Sequence, residues 1–316
     1  MTTRRVLVTG GAGFIGSTVA DSFLADGWSV TVLDSLVTGK RAQVPAGASF
    51  VEADIRSKAA ADCIRDGNFD VVCHLAAQID VRKSVTDPAF DVDVNIGGSV
   101  NLMSAVHATG RKTRMIFAST GGAVYGDFVA PPNIETYPKD PESPYGIAKF
   151  ATELYLAYYA RVHKLDYFAL RFANVYGPRQ DPHGEAGVVA IFCQRIIDGK
   201  PLTVFGDGGQ TRDYVFVGDV ARAHVLAAKR ETIPAGRVDD RAFNLGTAKE
   251  TSVVELAKIL MQGAKKEVPL NHAEARAGEQ RRSVVSIEKA KAGLGWTPEV
   301  SIEEGLRRTY DWFANR

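Results

Sequence analysis

An apolar run, Arg5-Val6-Leu7-Val8-Thr9, passes without a break into Gly10-Gly11-Ala12-Gly13-Phe14-Ile15-Gly16. This junction constrains the fold more than any other part of the chain. The run reads as a strand buried on both faces, and Ser17–Ala25 after the glycines reads as a helix. The glycines fit both G-x-G-x-x-G and G-x-x-G-x-x-G. They permit a tight turn and let the backbone approach a pyrophosphate, which then sits at the helix N-terminus. A second apolar run, Ser29–Leu33, ends in Asp34. That is near the ~20-residue spacing at which an acid grips both ribose hydroxyls of a dinucleotide. Alone, Asp34 would also suit a turn or a helix cap. Strand, glycines, helix, strand and acid in this order favour a bound dinucleotide, and the acid would repel a 2′-phosphate. NAD is therefore expected rather than NADP.

Short apolar runs continue at Ser49–Glu52, Val71–Leu75, Arg114–Ala118 and Tyr167–Phe172, with helical stretches such as Ile96–Ala108 between them. Alternating strands and helices imply an α/β fold, a doubly wound parallel sheet of Rossmann-like type. After Asn174 the texture changes. Val175–Gly187 reads as a long loop, Val188–Ile197 as a helix and Gly206–Arg212 as a polar glycine-rich loop. Val217–Lys229, Thr251–Met261 and Ile302–Ala314 read as helices, and Asn244-Leu245-Gly246 as the end of a last strand. The expected division is an NAD-binding domain over 1–173 and a smaller mixed α/β substrate domain over 174–316. Residues 215–246 are expected to return to the first sheet.

With 316 residues, 45% of them hydrophobic, the chain can bury a large core. A net charge of +1 without long charged blocks gives no signal for nucleic acid or an anionic membrane. No apolar run approaches the ~20 residues of a membrane span. Met1–Arg5 leads straight into the first strand, so no leader is expected. Cys63, Cys73 and Cys193 are scattered, as suits free thiols in a reducing cytoplasm. The six histidines show no metal-ligand spacing, and no metal is expected. His74 reads as a satisfied histidine at a strand end.

The chemistry rests on Tyr145-Gly146-Ile147-Ala148-Lys149. On a helix, Tyr145 and Lys149 share a face one turn apart. A free tyrosine has a pKa of ~10, so acting as a base near neutrality needs a drop of about 3 units, or ~4 kcal/mol. An ammonium at ~4 Å supplies roughly that at an effective dielectric of ~20. Desolvation opposes the shift, so a second cation, such as an oxidised nicotinamide, would help.

Together these motifs resemble the extended short-chain dehydrogenase/reductase family, most closely the UDP-glucose (UDP-galactose) 4-epimerases. The likeness runs over nearly the whole chain. It includes Thr9–Gly16, Asp34, Asp54-Ile55, His74–Gln78, Asn95, Val124-Tyr125-Gly126, Tyr145–Lys149, Arg171–Arg179, Phe205–Gly208, Thr211–Tyr214 and Arg276–Glu279. The resemblance implies NAD-dependent epimerisation at C4 of a UDP-hexose through a 4-keto sugar, with Tyr145 as the base. It implies that Gly10, Gly13 and Gly16 approach the cofactor pyrophosphate, lined by Phe14 and Ile15. Asp34 would hold the adenosine ribose with Thr38 and Gly39 nearby, and Asp54 and Ile55 would frame the adenine. Leu75, Ala76 and Ala77 would pass under the ribose and nicotinamide, and Lys149 would also bind the nicotinamide ribose. Asn174, Arg212 and Arg276 would contact the substrate diphosphate, Phe205 the uracil and Glu279 the uridine ribose. It also implies a homodimer through a four-helix bundle made by Ile96–Ala108 and Tyr145–Lys164.

One position departs from the family pattern. A Ser or Thr usually stands three residues before the Val of Val-Tyr-Gly, and here that residue is Gly121. Either Thr120 or Ser119 takes over the hydroxyl, directly or through water, or Tyr145 acts alone. Ser283 stands where some relatives carry a bulky aromatic, which opens UDP-N-acetylhexosamines as substrates. A UDP-glucuronate epimerase is a further alternative. A nucleotide-sugar 4,6-dehydratase would need an acid pair where Gly121-Gly122 stands. A non-catalytic NAD-binding sensor is the alternative of a different class.

Overall fold

The computed structural model describes residues 3–183, 187–275 and 280–316. The first half alternates as expected. It runs β1 (Arg5–Thr9), α1 (Phe14–Ala25), β2 (Ser29–Asp34), β3 (Ser49–Glu52), α2 (Lys58–Gly67) and β4 (Val71–His74). Then come α3 (Val81–Thr86), α4 (Pro88–Val92), a π-helical turn at Asp93–Gly97, α5 (Gly98–Ala108), β5 (Arg114–Thr120), α6 (Pro144–His163) and β6 (Asp166–Phe172). The second half begins with β7 (Asn174–Tyr176), α7 (Val188–Ile197), β8 (Leu202–Phe205), β9 (Thr211–Arg212), β10 (Tyr214–Phe216) and α8 (Val217–Lys229). It ends with β11 (Ala242–Leu245), β12 (Thr251–Ser252), α9 (Val253–Ala264), β13 (Leu270–Ala273), β14 (Arg282–Ser283), α10 (Glu288–Leu294) and α11 (Ile302–Ala314).

Seven strands form one sheet in the order β11-β6-β5-β4-β1-β2-β3, and every pair in it is parallel. The order reverses between β1 and β4. A crevice opens there beyond the carboxyl ends of the strands, where open sheets of this kind bind ligands. Alternate residues of the central strands feed opposite layers. Val6 and Val8 join α1, α8 and Trp296 on one face, while Leu7 and Val72 join α2, α5 and α6 on the other. Burial on both faces is why these strands read as unbroken apolar runs.

Local signals set the element ends. Ser57, Ser143, Ser252 and Ser301 cap α2, α6, α9 and α11 by accepting from Ala60, Gly146, Glu255 and Glu304 N–H groups. Pro144 fits the first turn of α6. Thr251 and Ser252, expected inside a helix, instead pair with β9 as β12 before the Ser252 cap starts α9. The stretch from Val175, expected as loop, begins inside β7, which pairs with β10. Pairing of these two- and three-residue strands depends on distant partners, so local texture does not reveal them.

Of residues 215–246, α8 packs on α1 and β11 lies beside β6, whereas Val215 and Phe216 pair with β7. A third core, built from α7, α9, α11 and β8, lies in the second half, and Phe14 and Ile15 of α1 pack against it. Within the second half, Asp213, between β9 and β10, ties that segment to the turn after β11. Its buried carboxylate accepts from the Thr247 N–H and hydroxyl (both 2.7 Å) and from the Ala248 N–H (3.1 Å). No helix among the described residues is long and apolar enough to cross a membrane.

Candidate active site

The glycine turn stands at the carboxyl end of β1. Gly10 has φ +72°, and a Cβ there would lie 2.7 Å from Ala76 N. A Cβ on Gly16 would lie 2.1 Å from Gly10 O. Only glycine fits these close approaches. Gly13 caps α1 without any side-chain hydrogen bond, and no acid sits in the first turn. The first N–H groups and the positive helix end therefore meet no side-chain acceptor, which suits a diphosphate. Asp34 ends β2 nearly buried, with Oδ2 accepting from Ala12 N–H (3.0 Å) and Oδ1 from Leu36 N–H (2.8 Å). Its remaining lone pairs are acceptors for a ribose. A Cβ on Gly39 would meet Asp34 Oδ1 at 2.7 Å. The fold thus gathers Gly10, Gly13, Gly16, Asp34, Gly39, Leu75 and Ala76 into one cradle, and these residues fit a dinucleotide.

Other expected cofactor residues are placed differently. Thr38 is exposed. Asp54 pairs with Arg56 at 2.6 Å. Ile55 is 5% exposed and packs in the core, so close to Gly98 that a Cβ there would touch its Cδ1 at 2.6 Å. Ala77 is half-buried, just beyond the Ala76 contact with the glycine turn.

Tyr145 begins α6, where its N–H donates to Ser84 Oγ at 3.3 Å. Lys149 is 4% exposed, and its Nζ donates to Ala118 O on β5 at 2.9 Å. The same ammonium lies 5.8 Å from the Tyr145 ring centroid. Burial pushes the Lys149 pKa down to about 8, while the charges of Asp91 and Glu153 act the other way. Burial, with the Asp91 charge second, pushes the Tyr145 phenol above its ordinary value. Burial thus favours the protonated form of Tyr145 in the protein alone, and a nearby cation would favour the phenolate.

His74 is satisfied on both ring nitrogens, by Thr9 Oγ1 and Ser99 Oγ, each at 2.9 Å. Burial pushes its pKa down to about 3. It is a neutral strut between β1, β4 and α5.

A cavity of about 260 Å³ is lined by Thr120, Gly122, Asn174, Tyr176, Gln180, Tyr214 and the start of α7, among others; Tyr145 and Lys149 are not among its lining residues. Gly187 starts α7 as Gly13 starts α1, without a side-chain cap and without an acid in the first turn. The sequence reading missed Gly187–Val189 as site residues. The local signal was a glycine before an apolar helix, which is too common to single out. Gly121 is not open to this cavity. A Cβ there would lie 2.9 Å from Val285 Cγ1, so a side chain at this position would require Val285 to shift. A Cβ at Gly122 would instead find Asn174 Oδ1, Ser283 Oγ and Thr120 Oγ1 at 3.6–3.9 Å. Ser119 is turned away, since its hydroxyl donates to Glu153 Oε1 at 2.5 Å inside the core. Thr120 lines the cavity and Ser119 does not.

Arg212 lies half-buried on β9, with Nη1 donating to Thr211 O at 2.9 Å. Phe205 ends β8, also half-buried, and its carbonyl accepts from Gln210 Nε2. Neither lines the cavity. Arg276 and Glu279 lie outside the described residues.

A family model described as the NAD dependent epimerase/dehydratase family matches residues 6–246. A UDP-glucose 4-epimerase of Mycolicibacterium smegmatis is 44% identical, over 99% of each chain. The crystal structure of a Thermotoga maritima UDP-glucose 4-epimerase with UDP-glucose is 44% identical at a TM-score of 0.92, covering 98% of this chain and 99% of that one. A Thermus thermophilus UDP-glucose 4-epimerase in complex with NAD is also 44% identical, at a TM-score of 0.90 and 98% coverage of both chains. Matched along most of its length by the family model, and nearly end to end by these proteins, the chain belongs to the NAD dependent epimerase/dehydratase family.

Proposed function

We propose that the protein is an isomerase that inverts C4 of a UDP-hexose, interconverting UDP-glucose and UDP-galactose with NAD as its resident cofactor. The observation that carries this reading is the Tyr145–Lys149 pair at the start of α6, whose lysine bonds Ala118 O on β5, two residues before the cavity-lining Thr120. NAD, when bound, supplies a hydride acceptor and donor for C4, so the sugar passes through its 4-keto form without net oxidation. Tyr145 takes the proton of the C4 hydroxyl and returns it. Lys149 carries the positive charge that favours the phenolate, and it reaches the nicotinamide ribose. Asn174 and Arg212 hold the diphosphate, so the nucleotide stays anchored while the sugar turns over.

Incubation with UDP-galactose, with and without added NAD, followed by NMR of the sugar, tests the reading. UDP-glucose forming without redox change supports it. Failure with UDP-galactose, UDP-N-acetylgalactosamine and UDP-glucuronate alike would overturn it in favour of an NAD-binding sensor.

Thr120 serves as the hydroxyl that bonds the reacting oxygen. Thr120→Ala is expected to lower kcat about a hundredfold, the cost of one oriented hydrogen bond in a dry site. Unchanged turnover would assign the proton transfer to Tyr145 alone.

A second reading, acceptance of UDP-N-acetylhexosamines, is favoured by the small Ser283 beside Gly122. Ser283→Tyr is expected to reduce kcat/KM for UDP-N-acetylgalactosamine at least tenfold relative to UDP-galactose, by filling that corner. An unchanged ratio between the two substrates would remove this reading.

The protein also pairs with a second copy through α5 and α6. Ile147, Leu154, Tyr155, Tyr158 and Val162 are 43–55% exposed at helical spacing along α6, an apolar stripe that the described residues leave uncovered. Light scattering should give the mass of a dimer for the native chain, and Leu154→Glu should shift it toward monomer. A native monomer would remove the pairing. The thiols of Cys63, Cys73 and Cys193 are free, which supports the cytoplasmic placement.

A further inference from the structure

Residues 177–181, just past β7, reach from the second half of the molecule to the first. Asp181 and Arg179 make the crossing. Lys40 Nζ donates to Asp181 Oδ2 at 3.2 Å. The Arg179 carbonyl accepts from Gln43 Nε2 at 3.3 Å, and Arg179 Nη1 lies 2.6 Å from Asp21 Oδ2 on α1. Gln180, between the two charged residues, stays with the second half. Its Nε2 donates to Val175 O at 3.4 Å, and a Cβ on Gly187 at the start of α7 would lie 2.6 Å from the same nitrogen. The segment is therefore fastened on both sides.

Arg179 has φ +72°, in the left-handed region that an arginine rarely adopts. Such a backbone persists where its surroundings hold it. With it, one residue reaches Gln43 through its carbonyl and Asp21 through its guanidinium. The first-half ends of these contacts rest on the cofactor cradle. Lys40 N–H donates to Ala12 O of the glycine turn at 2.8 Å. Its neighbour Gly39 is pressed against the same turn and the ribose acid, since a Cβ there would lie 3.0 Å from Ala12 Cβ and 2.7 Å from Asp34 Oδ1. Asp21 stands on α1, the helix that the glycine turn begins.

From this placement we infer that residues 177–181 are a strap that retains the dinucleotide: they tie the loop after β2 and helix α1 to the second half, and the cofactor leaves when the strap lifts. A cycle without net oxidation needs such retention, because a cofactor lost while reduced would leave a 4-keto sugar with no hydride to recover. That benefit rests on the proposed epimerase reading. The strap itself is read from cofactor release.

The test is the release rate of NADH from the full chain, followed by its fluorescence as excess NAD displaces it. Asp181→Asn and Asp21→Asn each cut one ion pair and keep the side-chain shape. Both pairs are partly exposed, so each variant should release NADH roughly two- to fivefold faster. The two together should give roughly tenfold, because the pairs lie on separate elements. The sign of the effect is diagnostic. Removing a negative charge near an anionic dinucleotide would by itself hold it more tightly and slow its release. Unchanged or slower release from the double variant would overturn the inference. Adding Lys40→Gln to Asp181→Asn should bring no further acceleration, since that pair is already cut. A further large increase would mean that Lys40 grips the cofactor directly, and would also overturn the strap. Release that accelerates as expected from a protein that turns over no UDP-sugar would refute only the epimerase reading.

Discussion

Tyr145→Phe is expected to lower epimerisation by at least ~10³-fold while leaving the fold and the NAD content unchanged. The substitution removes one oxygen and no packing. The ring stays beside Lys149, whose ammonium keeps its bond to Ala118 O. The glycine cradle and Asp34 lie on other elements and make no hydrogen bond to the phenol. What disappears is the proposed proton acceptor beside Lys149. Burial already holds the Tyr145 proton in the empty protein, so this step depends on charge supplied by Lys149 and the cofactor rather than on an intrinsically acidic tyrosine. Steady-state rates with UDP-galactose and the ratio of absorbance at 260 and 280 nm of the purified variant measure the two halves of the expectation. Residual turnover within tenfold of native would transfer the base role elsewhere, and Thr120 would be the first residue to examine.

The parts of this architecture that were legible in the chain are those with short-range physical causes. Gly16 is dictated by the Gly10 backbone within the same turn, and Gly10 by its positive φ, although the close approach of Ala76 to Gly10 comes from beyond β4. Arg5–Thr9 is apolar throughout because both sheet faces are covered. Tyr145 and Lys149 are legible because helical spacing alone aligns them. What the chain concealed depends on distant contacts. Nothing local at Gly121 announces that Val285, far along the sequence, fills the space of its side chain. Nothing at Ser119 announces that Glu153 claims its hydroxyl. The pairing of Thr251 with Arg212 likewise needs the folded second half.

Arg171→Met is expected to destabilise the protein by about 3–5 kcal/mol, the usual penalty for removing one partner of a buried ion pair. Arg171 on β6 is completely buried and binds Glu153 at 2.6 Å, Asp239 at 2.9 Å, Tyr125 Oη at 3.1 Å and Glu135 O at 3.0 Å. Methionine fills the aliphatic space and leaves these acceptors without their donor. Asp239 retains Lys139 at 2.5 Å, so the damage centres on Glu153, which keeps only the Ser119 hydroxyl. A shift of roughly 10 °C in Tm is then expected. The double variant Arg171→Met with Glu153→Leu should be less destabilised than Arg171→Met alone, because it removes the stranded carboxylate. Additive losses would mean that Glu153 is stabilised by something other than Arg171. The network also bears on catalysis. Glu153 stands one turn beyond Lys149, and its charge helps keep that ammonium protonated, while Ser119 immediately precedes Thr120. Arg171→Met molecules that remain folded should therefore lose kcat as well as stability, and the double variant should recover stability without recovering rate. That divergence would separate the energetic role of the buried pair from its role in placing the hydroxyl at Thr120.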